Sequence, residues 1–291
     1  MKILIYLMAC VFSFSLWGED TSNQFEKLTG LKGTYNESEK VFKASFPRTD
    51  IQVSIDQVFL DPFMGLTSWA AFTPMNDQFM VMGDLVLFQD EVNAVMSVLL
   101  NNGLEITALH NHFFYDEPRV FFMHIGGIGS LQFLSDGVKK ALNTVKEIRS
   151  KSLKLPNGFG KPSISGKNSI SASNLEAIFE TKGQSKDGMF KVVIGRKTKM
   201  NAMDVGKDMG VNTWAAFAGS DEAAIVDGDF AMEETELQSI LKTLRKGNIN
   251  IVAIHNHMTK ESPRIVFLHF WGKGGAGDLA KTIKEAMSLT K

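Results

Sequence analysis

Cysteine is almost missing from this chain: Cys10 is the only one in 291 residues. One thiol closes no intramolecular disulfide and builds no thiolate cage for a metal. Net charge is nearly absent, at −1, so there is no electrostatic case for nucleic acid or an anionic membrane surface as partner. The apolar run from Ile3 to Trp17 is too short to span a bilayer as a stable helix. No P-loop, dinucleotide fingerprint, Ser-His-Asp signature or nucleophilic cysteine is found. What remains is an ordinary globular composition, 44% hydrophobic and 22% charged. The length suits one large domain or two ordinary ones.

The N-terminus reads as a secretory signal over residues 1–18. Lys2 precedes the apolar run, and Gly18-Glu19-Asp20 follows it. Leu7-Met8-Ala9-Cys10 also has the form of a lipobox, which would lipidate Cys10 and tether the protein to a membrane. The apolar run continues past Cys10, so cleavage near Gly18 is the preferred reading. Either way the expected location is periplasmic or extracellular.

Histidine is scarce, yet all six sit in two copies of one motif. His110-Asn111-His112, Pro118-Arg119 and His124 recur as His255-Asn256-His257, Pro263-Arg264 and His269, each histidine 145 positions on. Met64 to Phe72 matches Met209 to Phe217 at the same offset, and Gly83-Asp84 matches Gly228-Asp229. Lys151 to Ser173 is rich in Ser, Gly, Lys and Pro and reads as a linker. The expected organisation is a first repeat domain (21–150), a linker (151–173) and a second repeat domain (174–291). A period this long means tandem domains, not a solenoid.

Periodicity predicts the same layout in both copies. Helices are expected over 23–28 and 174–179, and strands over 41–46, 79–87 and 190–194. Amphipathic helices follow, with Val92, Val95, Met96 and Leu99 matched by Leu237, Ile240, Leu241 and Leu244. Asp90 and Thr235 take the N-cap positions, with Gln238 completing a capping box. Trp69 and Trp214 read as core, and the glycine-rich stretches 126–129 and 272–277 as turns. The fold class is α/β of the α+β type: a mostly antiparallel sheet flanked by helices, duplicated in tandem.

Chemistry concentrates in the histidine motif. Period-two geometry puts Leu104, Ile106, Ala108, His110 and His112 on one face, as it does Ile249, Ile251, Ala253, His255 and His257. A hairpin centred near Glu117 would set His124 opposite His110. Three imidazoles then converge, an arrangement suited to zinc or another divalent metal with a position left for water. The predicted ligands are His110, His112, His124, His255, His257 and His269. Packing histidines preserved by duplication are the plain alternative. Asp116 and Glu261 would accept from imidazole N–H groups or simply close a polar turn. Arg119 and Arg264 would bind a substrate carboxylate or form a salt bridge across the turn. Asp84, Glu91, Asp229 and Glu236 also recur, with the two glutamates explained by the helix dipole.

The segments Ser68 to Phe72, Val81 to Leu87 and Ala108 to Gly127 resemble the LppY/LpqO family of exported bacterial proteins. That resemblance implies export but no activity. His110, His112, Asp116, Arg119 and His124 are also similar in order to the zinc-binding motif of alpha-acetolactate decarboxylases, with spacings to Arg and the last His about one residue longer. Such a likeness does not transfer a reaction. Three functions follow. The first is a metal-dependent hydrolase or lyase acting on a small anionic substrate. The second is a non-enzymatic zinc or copper carrier with Met123 and Met258 near the ligands. The third is an interaction domain with vestigial histidines.

Overall fold

The computed structural model describes residues 18–290; apart from Gly18, the expected signal segment and Cys10 lie outside them. The first repeat opens with α1 (Gly18–Thr29), β1 (Gly33–Asn36) and β2 (Val41–Pro47). Two short strands follow, β3 (Ser54–Ile55) and β4 (Val58–Phe59), then β5 (Thr67–Met75), β6 (Gln78–Phe88) and α2 (Val92–Asn101). It ends with β7 (Glu105–His110), β8 (Asp116–Glu117), β9 (Val120–Gly129) and α3 (Leu131–Lys151).

The second repeat runs α4 (Ala172–Phe179), β10 (Gln184–Lys186), β11 (Met189–Gly195), β12 (Thr198–Met200), β13 (Met203–Val205), β14 (Asn212–Gly219) and β15 (Ala224–Glu233). α5 (Leu237–Lys246), β16 (Asn250–His255), β17 (Glu261–Ser262), β18 (Ile265–Gly274) and α6 (Ala276–Met287) complete it.

Strands of the two repeats are not interleaved, but they share one sheet. The order is β1-β2-β5-β6-β9-β7-β16-β18-β15-β14-β11-β10. β7 and β16 join the halves through one antiparallel pairing, Leu109 with Ile254. These two residues are each other's counterparts at the 145 offset, so a pseudo-two-fold axis passes between them, as in an isologous interface. One buried cluster runs through both halves, from Phe25 and Leu99 to Leu241 and Ile283. The helices cover one face of the sheet, where Leu85, Leu109, Met123, Phe230, Ile254 and Leu268 are buried. Two three-stranded sheets, β4-β3-β8 and β13-β12-β17, roof part of the other face over Phe122 and Phe267.

The seam is pinned by side-chain amides. Asn93 of α2 accepts from the Ile251 N–H at 2.8 Å and donates to the Ile251 carbonyl at 3.1 Å. Gln238 of α5 does the same to Ile106, at 3.1 and 2.8 Å. Both targets lie at β-bulges, between Ile106 and Ala108 and between Ile251 and Ala253. Backbone groups at a bulge lose their ladder partners, and each helix of one repeat supplies them to the strand of the other.

Several expectations are corrected here. The capping box lies on the 3-10 turn Glu234–Glu236 that leads into α5 and is formed by Glu233 and Glu236, while Gln238 serves the seam. Glu91 and Glu236 are not dipole residues. Glu91 is fully buried and pairs with Arg48 at 2.8 Å and Arg149 at 2.9 Å, while Glu236 pairs with Arg196 at 2.8 Å. The stretches 126–129 and 272–274 are strand, not turn. Gly228 is small by necessity: a Cβ there would stand 2.2 Å from the Phe270 ring.

Candidate metal centre

The bulge sets which residues of β7 look where. Ile106 and Leu109 face the helices, while Ala108 and His110 face the open side. The single period-two face expected from Leu104 to His112 is therefore broken at residue 107. The register is also one pair away from expectation: His124 stands opposite Ala108, and Phe122 stands opposite His110. β18 repeats this, with His269 opposite Ala253 and Phe267 opposite His255. All six imidazoles nevertheless reach the open face of the sheet, on strands whose order brings the two clusters side by side across the seam.

Each cluster gains a member from a neighbouring strand. Asp84 of β6 pairs in register with His124, and Asp229 of β15 with His269. In the second repeat His257 Nε2 is 3.0 Å from Asp229 Oδ2 and His255 Nε2 is 3.6 Å from it. The two imidazole Nε2 atoms are 3.0 Å apart. Asp229, His255 and His257 thus form a group whose ligating atoms lie within 4.8 Å of one another and could hold a metal ion. Two Nε2 atoms at that distance cannot both carry a proton toward each other; a cation between their lone pairs satisfies both. Asp229 Oδ1 and His255 Nδ1 are buried without a hydrogen-bond partner. The donor set, two imidazoles and a carboxylate, is one that divalent zinc accepts.

His269 does not join that group. Its Nε2 bonds Asp227 Oδ1 at 2.9 Å. The first repeat has Met82 at the position of Asp227, and there His124 stacks on His110 with ring centres 5.1 Å apart. His110 and His112 oppose their Nε2 atoms at 3.1 Å. Burial lowers the pKa of His110 below its ordinary value, aided by His112 and His124 and opposed by Asp84. Burial likewise lowers that of His112, with Asp84 opposing. Neutral imidazoles are the ligating form. Phe122 and Phe267 hold the outer rings in place, stacked on His112 and His257 at 3.4 and 3.5 Å.

The turn residues do other work. Asp116 accepts from the Val120 N–H at 2.6 Å and Glu261 from the Ile265 N–H at 3.2 Å, closing the turn that precedes β9 and β18. Arg119 is exposed. Arg264 is exposed and lines a seam cavity of about 380 Å³ with His255, Glu105, Glu234 and Gln238. Met123 is buried on the helix side, facing away from the imidazoles, and Met258 packs near Val211 and Phe267. Trp69 and Trp214 are not core: they lie half-buried on the open face, with Lys43 and Lys191 over their rings at 4.5 and 4.2 Å. Asp229, and Asp84 at its matching position, are the candidate site residues that the motif alone did not bring forward. Their signal was the recurring Gly-Asp pair at the same offset as the histidines.

The profile of the Domain of Unknown Function (DUF1259) family matches residues 23–144 and 173–289. The chain belongs to this family. The two matched regions coincide with the two structural repeats, so the family unit is one half of the sheet with its helices. No curated protein and no solved structure matches the chain.

Proposed function

We propose that this DUF1259 member is an exported metalloprotein that binds zinc in each repeat. The observation that carries the reading is the convergence of His255, His257 and Asp229 at 3.0–3.6 Å. In the first repeat Asp84, His110 and His112 occupy the matching positions, with His124 stacked on His110. Export rests on the N-terminal sequence alone, and membership of the LppY/LpqO family would agree with it. Among the described residues no helix is long and apolar enough to cross a membrane.

The sharper form of the proposal is a hydrolase or lyase for a small anionic substrate. Zinc bound there would supply Lewis acidity toward a carbonyl group. The chain's own residues orient the ligands: Phe267 fixes the His257 ring by stacking on it. The carrier reading keeps zinc; for copper, Met123 points into the core and offers no soft ligand, which leaves Met258 as the candidate.

The test is elemental analysis of the purified full chain, before and after incubation with zinc, with iron(II) as competitor for a two-His, one-carboxylate set. Zinc should reach one ion per repeat. Asp229→Asn and His257→Ala should each remove the second-repeat ion, and the His110→Ala, His112→Ala double variant the first. Wild type that takes up no metal refutes the proposal. A metal-dependent screen of esters, lactones and keto acids separates enzyme from carrier.

A further inference from the structure

We infer that the hollow beside His257 is the seat of a small carboxylate ligand, with Lys191 taking its charge and Trp214 its body. The hollow has a volume of about 300 Å³ and is lined by Lys191, Val193, Gly210, Asn212, Trp214 and His257. It opens directly onto His257, so a molecule held there lies between Lys191 and the Asp229-His255-His257 group. The inference rests on the metal reading only in taking that group as the reacting centre.

Lys191 is set up to receive an anion. Its Nζ lies 4.2 Å from the centre of the Trp214 ring. Four lysines, Lys139, Lys182, Lys199 and Lys284, are paired with carboxylates. Among the described residues no carboxylate lies within salt-bridge distance of Lys191 or of its counterpart Lys43. The indole face therefore holds an uncompensated cation in a defined place. The arrangement recurs in the first repeat, where Lys43 stands over Trp69 beside the other histidine cluster. The duplicated strands β2 and β11 present it from the same side as the imidazoles.

The chemistry of the lining selects the ligand class. One lysine balances one negative charge and offers a point contact rather than a planar fork. Val193 and the indole ring offer apolar surface for the rest of the molecule. The volume is at the low end for a ligand site, so the body is a small ring or short chain. Gly210 has φ of +85° and nothing within 4 Å of where a Cβ would stand, which leaves the entrance open. The seam cavity beside Arg264 suits an anion less, because Glu105 and Glu234 line it. The anion-binding role expected of Arg264 therefore passes to Lys191.

Benzoate is the probe. It would be titrated into the full chain, with and without zinc, by calorimetry and by indole fluorescence. The variants are Lys191→Gln, Trp214→Leu and, as comparison, Arg264→Gln. Wild type should bind benzoate, with affinity falling as salt rises. Lys191→Gln should weaken binding about tenfold or more, as expected for a lost charge-assisted contact. Arg264→Gln should leave it within twofold. Circular dichroism and zinc content of Lys191→Gln should match wild type, because the side chain is exposed. Absence of benzoate binding by zinc-loaded wild type overturns the inference, as does binding indifferent to Lys191 or abolished by Arg264→Gln. Benzoate binding that depends on Lys191 in a protein that takes up no metal would sink the metal reading and keep this one.

Discussion

The seam makes a quantitative prediction. Gln238→Leu keeps the volume of the side chain and removes both of its hydrogen bonds to Ile106. The Ile106 N–H and carbonyl sit at a bulge, so no neighbouring strand can take them over. A buried polar group left unpaired costs about 1–3 kcal/mol. The cavity beside Gln238 lets water reach the freed groups, which puts each loss near the low end. The sum is about 2 kcal/mol, or roughly 30-fold in the unfolding equilibrium at 1.4 kcal/mol per tenfold.

The assay is urea unfolding followed by tryptophan fluorescence and far-UV dichroism, with hydrogen exchange at Ile106. The midpoint should fall, and the Ile106 amide should lose its protection. The two probes should stay coincident, because the shared sheet and core unfold together. Asn93→Leu should reproduce the effect at Ile251 by pseudo-symmetry. An unchanged midpoint with a protected Ile106 amide would refute the bracket. Two well-separated transitions in wild type would show that the halves fold alone and that the seam contributes little.

Two more predictions come from buried charge. Glu91→Ala leaves the buried Arg48 with Asp50 and the buried Arg149 with Asp90 as their remaining partners, and should cost about 3 kcal/mol, the low end for breaking a buried pair; Glu236→Ala, which leaves Arg196 with Glu233, should cost less in the same urea titration. His110 and His112 have folded pKa values held below 6.5. As pH falls below 6.5 the unfolded chain takes up protons at these sites first, so their contribution to stability is present above 6.5 and lost as pH drops through the folded values. Metal-free His110→Asn, His112→Asn protein should therefore show a shallower acid slope than wild type, and an identical slope would count against the assignment.

Much of this was readable from sequence because duplication prints each element twice. The 145 offset of the histidines, the apolar periodicity of α2 and α5, and the placement of strands at 41, 79 and 190 all carry into the fold. Local periodicity failed where long-range partners decide. The bulges lie in the β7–β9 and β16–β18 ladders, and the backbone groups of Ile106 and Ile251 beside them are taken by Gln238 and Asn93 from the other repeat, which no pattern within nine residues encodes. Gln238 looked like a capping residue because its position fits a box with Thr235, yet its partner is 132 residues away. Asp84 and Asp229 precede their histidines by 26 residues or more, so only sheet order brings them together. Trp69 and Trp214 read as core from their type, yet they lie half-buried on the open face beneath Lys43 and Lys191.

The repeats have diverged at one place that bears on the metal ligands. In the second repeat Asp227 holds His269 at 2.9 Å, while the first repeat has Met82 there and His124 stacks on His110. A carboxylate that captures an imidazole takes it out of a ligand set. The second centre should accordingly use Asp229, His255 and His257, and His269→Gln should change its zinc affinity only a few-fold. Asp227→Met removes the competing acceptor and lets His269 turn to the cluster, as its counterpart does. In that background His269→Gln should weaken zinc binding by about tenfold or more, the scale of losing a supporting contact at a metal site. The four proteins form a double-mutant cycle with a coupling term that reports the competition. Cobalt(II) absorption of each gives the ligand count independently of affinity. Equal loss of zinc on His269→Gln in both backgrounds would mean that His269 is a ligand in the native protein and that the three-imidazole site expected from the motif is the true one.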